Sequence, residues 1–461
     1  VIVTADQPTF SWGHAGLRLD FHVDAHCRVR IAGLGPGSPV DSDPGLPLVE
    51  VLVAGHGRWA ATERAIGTVF GGRLVYQGHA ESREGEWLCL RVDLADPDSG
   101  LTAQVLLRSP DGVSAVQSRV RLANRGEQSL VLESVTSLVL GGITDDGGGL
   151  SGLDVRHADN EWLAEGRWQR RALRDVLVDM NFGRHRQQAR SSFSRASQGT
   201  WSTGRHLPLG ALTARDSGRT LMWQVENPGG WRWEVGEYTG IAYLALMGPT
   251  DRDHQWRQTL APGEEFTTVP AAVAVGARPD GADGFAEAAA AMTGYRRALR
   301  RPHPDHTGLP VIFNDFMNTV MGDPTTERLL PLIDAAAEAG AEYFVIDAGW
   351  YAGEEGWWDL VGEWEESPAR FPGGLIEVMD RIRAGAWSRD SGWNRRWSAC
   401  AARWPRSCRR PRSSSATASA SSTTAGITSI CATRPPRRIW TAWSTGSSPI
   451  TASATSSWTT T

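Results

Sequence analysis

The sequence contains no lysine; all 47 residues of its Lys-plus-Arg count are arginine, a bias that a GC-rich gene explains. Against them stand 52 acidic residues, for a formal net charge of −5. That balance, with no polybasic patch in residues 1–385, excludes the cationic footprint of a nucleic-acid binder or of a protein drawn to anionic membranes. Long apolar runs are missing too. Without a stretch of about eighteen apolar residues there is no candidate spanning helix. The opening VIVTADQPTFSWG lacks the basic and apolar regions of a secretory signal. The expected location is therefore cytoplasmic. The first residue is Val rather than Met, which fits an unusual start codon or a fragment. Cysteine is scarce: Cys27, Cys89, Cys400, Cys408 and Cys431 show neither paired nor metal-ligand spacing. Neither a disulfide framework nor a zinc site is expected, and no cofactor or metal is implied.

What the sequence does have, over residues 1–290, is a succession of short β-type runs punctuated by Gly, Asp, Pro and Asn. Strands are expected at 48–53, 102–107, 220–225, 241–246 and 269–275. The run 118–123, then Asn124-Arg-Gly126, then 129–133 reads as a hairpin, because Asn and Gly tolerate the positive φ of a tight turn. So many antiparallel strands imply a large β-sandwich, a supersandwich domain over residues 1–290. Composition turns helical at 283–300, and a Pro-containing linker comes next, so 291–309 reads as helix and linker at a domain boundary. Beyond it, 310–313 reads as a buried strand. Asp323 reads as the N-cap of a helix with Pro324 in its first position, ending near Gly340. A second buried strand, 342–346, precedes a second helix, 374–384. Strand–helix–strand–helix with apolar strands is the signature of a parallel α/β fold, either a (β/α)8 TIM barrel or a doubly wound sheet.

In both architectures the chemistry sits at the C-terminal ends of the strands. Ile346 is followed by Asp347-Ala-Gly-Trp350-Tyr and a loop containing Trp357, Trp358 and Trp364. A carboxylate there can accept hydrogen bonds from two adjacent hydroxyls, and tryptophans can stack on the apolar faces of sugar rings. Equally, an Asp after a strand can cap a turn, and clustered Trp can be core. After the first strand, Asn314 and Asp315 enter the same cleft, where either contacts substrate or fixes the loop.

The stretch FNDFMNTVMGDPTTERLLPLIDAAAEAGAEYFVIDAGWY, with GEWEESPARFPGGLIEVMDRIRAG after it, resembles the first two β/α units of glycoside hydrolase family 36 α-galactosidases. LANRGEQSLVLESVTSLVL and LAPGEEFTTVPAAVAV are similar to that family's N-terminal domain. The resemblance covers residues 1–385. It implies a β-sandwich and then a TIM barrel begun at 310–385, no cofactor, and α-galactoside oligosaccharides as partners. Self-association through the sandwich is also implied. Asp347 matches the first acid of the family's D-D/A-G-W motif, which holds galactose hydroxyls; Ala348 fills the second position. Phe316 stands where many relatives have Trp. The implied substrate-binding set is Asp347, Trp350, Asn314 and Asp315.

From Ala386 the text changes character: Arg and Ser abound, acids nearly vanish, and apolar periodicity is lost. Such a composition cannot bury a core. A natural basic disordered tail is one reading, but Trp387, Trp393, Trp397, Trp404, Trp440, Trp443 and Trp458 are foreign to disordered tails. Back-translated with allowed synonymous codons and read one nucleotide out of frame, 390–398 gives GLWLEPEVV and 447–461 gives LIADYGIGYFKLDYN. Both strings resemble barrel strands of the same family, the second carrying its nucleophilic Asp across the codons of Trp458 and Thr459. The expectation is a frame displaced near Gly385 and a truncated barrel. Such a chain has no catalytic residue, since the family's acid/base lies beyond Thr461, and it is inactive. The alternatives are a non-catalytic carbohydrate-binding or assembly protein built on the sandwich, and a protein whose arginine-rich tail binds an anionic partner.

Overall fold

The computed structural model describes residues 9–387 apart from 41–44, 148, 188, 198, 200, 354–355 and 363, so the tail expected to be frame-displaced lies, from residue 388, outside the described residues. The chain divides into two compact units, one ending at Arg300 and the other beginning at Arg301.

The first unit is a β-sandwich. Its larger sheet has ten strands, ordered Ala164–Ala172, Leu153–Glu161, His206–Ala214, Thr220–Val225, Ala271–Gly276, Ala115–Asn124, Leu101–Pro110, Trp87–Ala95 and Val75–Glu84, with Glu265–Thr267 also paired to Ala115–Asn124. The facing sheet of six runs Ser192–Ala196, Arg232–Tyr238, Ile241–Met247, Leu130–Ile143 and Gln258–Leu260, with Val51–Val53 also on Leu130–Ile143. A three-stranded sheet, Phe10–His14, Leu17–Val23 and Val29–Gly35, completes the unit. The alternation that builds these sheets is plain in Leu101–Pro110, where Leu101, Ala103, Val105 and Leu107 are buried and Thr102, Gln104 and Arg108 are not.

Thr220–Val225 and Ala271–Gly276 are buried on both faces. A helix, Phe285–Leu299, explains why: Ala288, Met292 and Tyr295 lie on Met222 and on Ala115, Ala211, Ala272 and Ala274, and the small side chains of these four alanines let the helix approach. Between the sheets, Trp223 of the larger meets Trp233 of the smaller edge to face, with ring centroids 5.2 Å apart. Each buried indole contributes up to about 5 kcal/mol by area.

Residues 118–133 do not form a hairpin. Ala115–Asn124 and Leu130–Ile143 belong to different sheets, and the Asn124-Arg-Gly segment carries the chain from one to the other. Asn124 holds that crossover by donating to the carbonyls of Gln128 and Leu260, both at 2.8 Å, and by accepting from Gly126 N–H at 3.0 Å. The strand expected at 48–53 is confined to Val51–Val53, because Glu50 N–H is diverted to the Thr136 hydroxyl at 2.8 Å. The Glu50 carboxyl is wholly buried and accepts from Gly67 N–H, Thr68 N–H and the Thr68 hydroxyl. Burial pushes it up to about 7 against those three donors.

The second unit is the start of a barrel. Ile312–Asn314 and Tyr343–Val345 pair in parallel, in the register Ile312↔Tyr343, Phe313↔Phe344 and Asn314↔Val345. The helices Thr326–Glu338 and Leu375–Trp387 come after these strands in turn. Leu329, Ile333 and Ala336 of the first helix, spaced i, i+4, i+7, pack with Val378 and Ile382 of the second and with Phe344. Two expectations are corrected. The strand at 310–313 is not buried, since Val311 and Ile312 are 57% and 59% exposed and the core side chain at this level is Phe344. The N-cap is Thr325 rather than Asp323. Thr325 is extended and accepts from Arg328 N–H, whereas the Asp323 carboxylate is taken by the guanidiniums of Arg328 and Arg370. No helix among the described residues is long and apolar enough to cross a membrane.

Gly210 stands opposite Trp223 in the larger sheet, and a Cβ there would come within 2.4 Å of the indole. Gly210→Ala is expected to cost about 1–3 kcal/mol by overpacking. Chemical denaturation reads this directly, and an unchanged midpoint would refute the packing argument.

Candidate functional site

The strands of the second unit are short, and the residues just beyond their ends are held by side chains that continue the pairing. Asp315 N–H donates to Val345 O at 3.1 Å, one step past the last paired residue of the first barrel strand. The Asp315 carboxylate then accepts from Asp347 N–H at 2.9 Å, so a side chain fixes the backbone where the second strand ends. Asp315 is fully buried and its other oxygen has no hydrogen-bond partner. Burial pushes its carboxyl up to about 6; the Asp347 N–H opposes this rise, while the Asp347 charge adds to it.

Asn314 orients the neighbouring carboxylate. Its Oδ1 accepts from Phe316 N–H at 2.8 Å, which turns Nδ2 toward Asp347 Oδ2 at 2.7 Å. Asp347 Oδ1 accepts from Ala348 N–H at 2.7 Å. Each oxygen of this half-buried carboxylate therefore has one protein donor and retains acceptor capacity for a hydroxyl. The structure thus brings Asn314, Asp315 and Asp347 together.

Trp350 goes elsewhere. It is 7% exposed and packs in the unit's core, edge-on to Tyr351 at 5.3 Å and stacked with Trp364 at 6.1 Å. The more open aromatic face comes from Trp357 and Trp358, whose rings lie 4.9 Å apart; Phe316 meets Trp357 edge-on at 5.8 Å. Trp358 is exposed.

Sequence reasoning passed over the groups that anchor this loop. Ser367 N–H donates to Trp350 O at 3.0 Å, and Arg370 Nε donates to Ala352 O at 2.8 Å while its guanidinium pairs with Asp323. That ion pair holds the Asp323 carboxyl below its ordinary value. Gly349 has φ of +97°, and a Cβ on it would lie 2.0 Å from Gly322 O, so the two loops touch backbone to backbone. The Gly before Trp350 was the one available signal of that contact.

The arrangement is suited to accepting hydrogen bonds from vicinal hydroxyls at the Asp347 carboxylate. It is unsuited to proton transfer through Asp315, which is sealed from solvent. The melibiase family profile matches residues 269–388. Part of the chain is α-galactosidase-like. Among relatives, a probable alpha-galactosidase C of Aspergillus terreus is 25% identical over 327 residues, 67% of this chain and 38% of that protein. Alpha-galactosidase Mel36A of Lactobacillus acidophilus is 26% identical over 297 residues, 64% of this chain and 37% of its own length. The chain thus spans less than half the length of the curated relatives it matches. In solved structures the fold recurs in a variant of the GH36 α-galactosidase AgaA of Geobacillus stearothermophilus bound to 1-deoxygalactonojirimycin, with a TM-score of 0.65 and 15% identity. That match covers 85% of this chain and 56% of AgaA. Other AgaA variants were solved in complex with raffinose and with stachyose. A β-sandwich joined to a partial barrel is therefore the architecture of this chain.

Because the Asp315 carboxyl is raised in the folded state, its contribution to stability is fully present below about pH 4 and is lost as pH rises through about 6. The α-galactosidase-like unit should lose stability across that window, and Asp315→Asn should flatten the loss. Hydrogen exchange of the 343–347 amides at pH 4 and pH 6.5 checks it; an equal pH dependence in the variant would show that Asp315 is not the group responsible.

Proposed function

We propose that the second unit holds the galactosyl group of terminal α-galactosides of the melibiose and raffinose type. Asp347 accepts hydrogen bonds from two adjacent hydroxyls, and Asn314 keeps the carboxylate in place to do so. The observation that carries the reading is the Asn314–Asp347 hydrogen bond at the end of the second barrel strand, within the segment matched by the melibiase profile. Relatives bearing the α-galactosidase name and neighbours bound to raffinose and stachyose support the choice of sugar.

The intact gene product would hydrolyse such substrates by double displacement. One carboxylate attacks the anomeric carbon while a carboxylic acid protonates the departing oxygen; water then releases the sugar, activated by that same second group. This requires two solvent-accessible carboxyls about 5–5.5 Å apart. Asp315 is buried behind Asp347 N–H and cannot attack. The residues expected to encode the nucleophile are Trp458 and Thr459 in the sequence as it stands. The chain is therefore proposed to bind α-galactosides without hydrolysing them, and the composition of 386–461 supports a displaced reading frame.

Calorimetric titration of the full chain with raffinose should give saturable binding, weakened ten- to a hundredfold by Asp347→Ala, as loss of hydrogen bonds to a charged group implies. Galactose release should be absent. Folded protein that binds no raffinose would sink the sugar assignment. Galactose release by the chain as written would overturn its inactivity. Resequencing across codons 384–387 should reveal one missing or extra nucleotide, and an unaltered frame would reject the displacement.

A further inference from the structure

We propose an oxyanion-binding site in the β-sandwich, independent of the sugar site. It is a polar cavity of about 420 Å³ at the end of the larger sheet, where Leu153–Glu161 and His206–Ala214 meet the neighbouring strand Ser192–Ala196 of the facing sheet. Three guanidiniums line it, those of Arg167, Arg195 and Arg205, against two carboxylates, Asp159 and Glu161. The acidic side is largely spent. Asp159 Oδ1 accepts from His206 Nδ1 at 2.9 Å and its Oδ2 accepts from Gln169 Nε2 at 2.5 Å, while Glu161 Oε1 accepts from Trp162 N–H at 2.9 Å. Asn160, the remaining lining residue, is committed to Thr203 O and Gly166 N–H.

The basic side is not spent. Arg167 and Arg205 make no side-chain hydrogen bond or ion pair among the described residues. Arg195 lies over the Phe193 ring at 4.4 Å, donates from Nη1 to Ser194 O at 2.9 Å, and approaches His157 Nε2 with Nη2 at 3.4 Å. Its Nε–H is buried without a partner. Because Nε2 of His157 faces a guanidinium, which only donates, the imidazole proton is on Nδ1. That Nδ1 is buried in a side chain 1% exposed, makes no hydrogen bond, and has Asp159 Oδ1 3.9 Å away. His157 is held neutral, pushed down to about 4 by burial and then by the Arg195 charge.

Two guanidiniums without partners among the described residues and a third only partly committed, against carboxylates already engaged, define what the cavity lacks: negative charge carried on several acceptor oxygens. Arg groups in fork geometry match oxyanions. The cavity near Arg58, Arg232 and Arg252 makes the contrast, since four carboxylates line it as well. The ligand class is a phosphate-sized oxyanion, free or as a monoester.

Titration calorimetry of the full chain with sodium phosphate, against sodium chloride at matched ionic strength, tests the site. The expected result is saturable one-to-one binding, weakened at least tenfold in Arg195→Gln and in Arg205→Gln, and unchanged in Arg121→Gln, which alters an arginine elsewhere on the sheet. Should Arg195→Gln fail to fold, Arg205→Gln, an exposed side chain, decides. A parallel arm with glycerol phosphate separates the sources: tighter binding of the ester assigns an organic phosphate, tighter binding of the ion assigns free phosphate. No saturable heat from either, or undiminished affinity in Arg205→Gln, overturns the proposal. Raffinose binding plays no part in this readout, so failure here leaves the sugar assignment standing.

Discussion

One hydrogen bond organises the second unit: the Asp315 carboxylate accepting from Asp347 N–H. The parallel pairing of Ile312–Asn314 with Tyr343–Val345 is only three residues long. Backbone pairing alone would leave the residue after the second strand free to turn either way. A buried side chain takes over the ladder and commits the Asp347 backbone, and Asn314, one residue earlier, commits its side chain. Neither role tolerates a shift in register, because a one-residue slip would exchange the buried and exposed members of the Asn314–Asp315 pair. The cost is a carboxyl kept out of water with one oxygen unsatisfied.

In the sandwich the same economy is met by size rather than charge. A glycine faces an indole at Gly210 and Trp223, and alanines face a helix at Ala211, Ala272 and Ala274. These positions are what allow strands buried on both sides within an antiparallel sheet. Polar groups are admitted to this interior with partners arranged for them at Glu50 and at Glu234, which accepts from Tyr243 and Ala65 N–H.

Much of this was legible in the sequence, and the failures share a cause. Periodicity located the strands at Leu101–Pro110, Thr220–Val225, Ile241–Met247 and Ala271–Gly276 because each depends on its own residues. It could not say which sheet a strand joins, so Asn124-Arg-Gly126 passed for a hairpin turn when it is a crossing between layers. Thr325 outcompeted Asp323 as a cap because Arg370, 47 residues away, claims the aspartate. Asn314, Asp315 and Asp347 were found together because strand ends converge in any parallel sheet. The division of labour within the trio, two orienting and one presented, was not legible, nor was the burial of Trp350. Both depend on which side chains lie across the cleft, and sequence spacing does not record that.

The position of Ala271–Gly276 has a further consequence. It lies between Thr220–Val225 and Ala115–Asn124, joining two runs of strands that are otherwise unconnected within the larger sheet. As the chain leaves the ribosome, each run acquires its own hairpins early, yet the inner edge of Thr220–Val225 and the Ala115–Ser118 part of the other inner edge stay unpaired until Ala271–Gly276 has been made. Two open edges of the same molecule, each able to pair with another chain, therefore coexist from the completion of Thr220–Val225 until that point. The last strand of the sandwich is thus also its lock. A nascent chain stalled ahead of it is the form most exposed to aggregation and most in need of a chaperone.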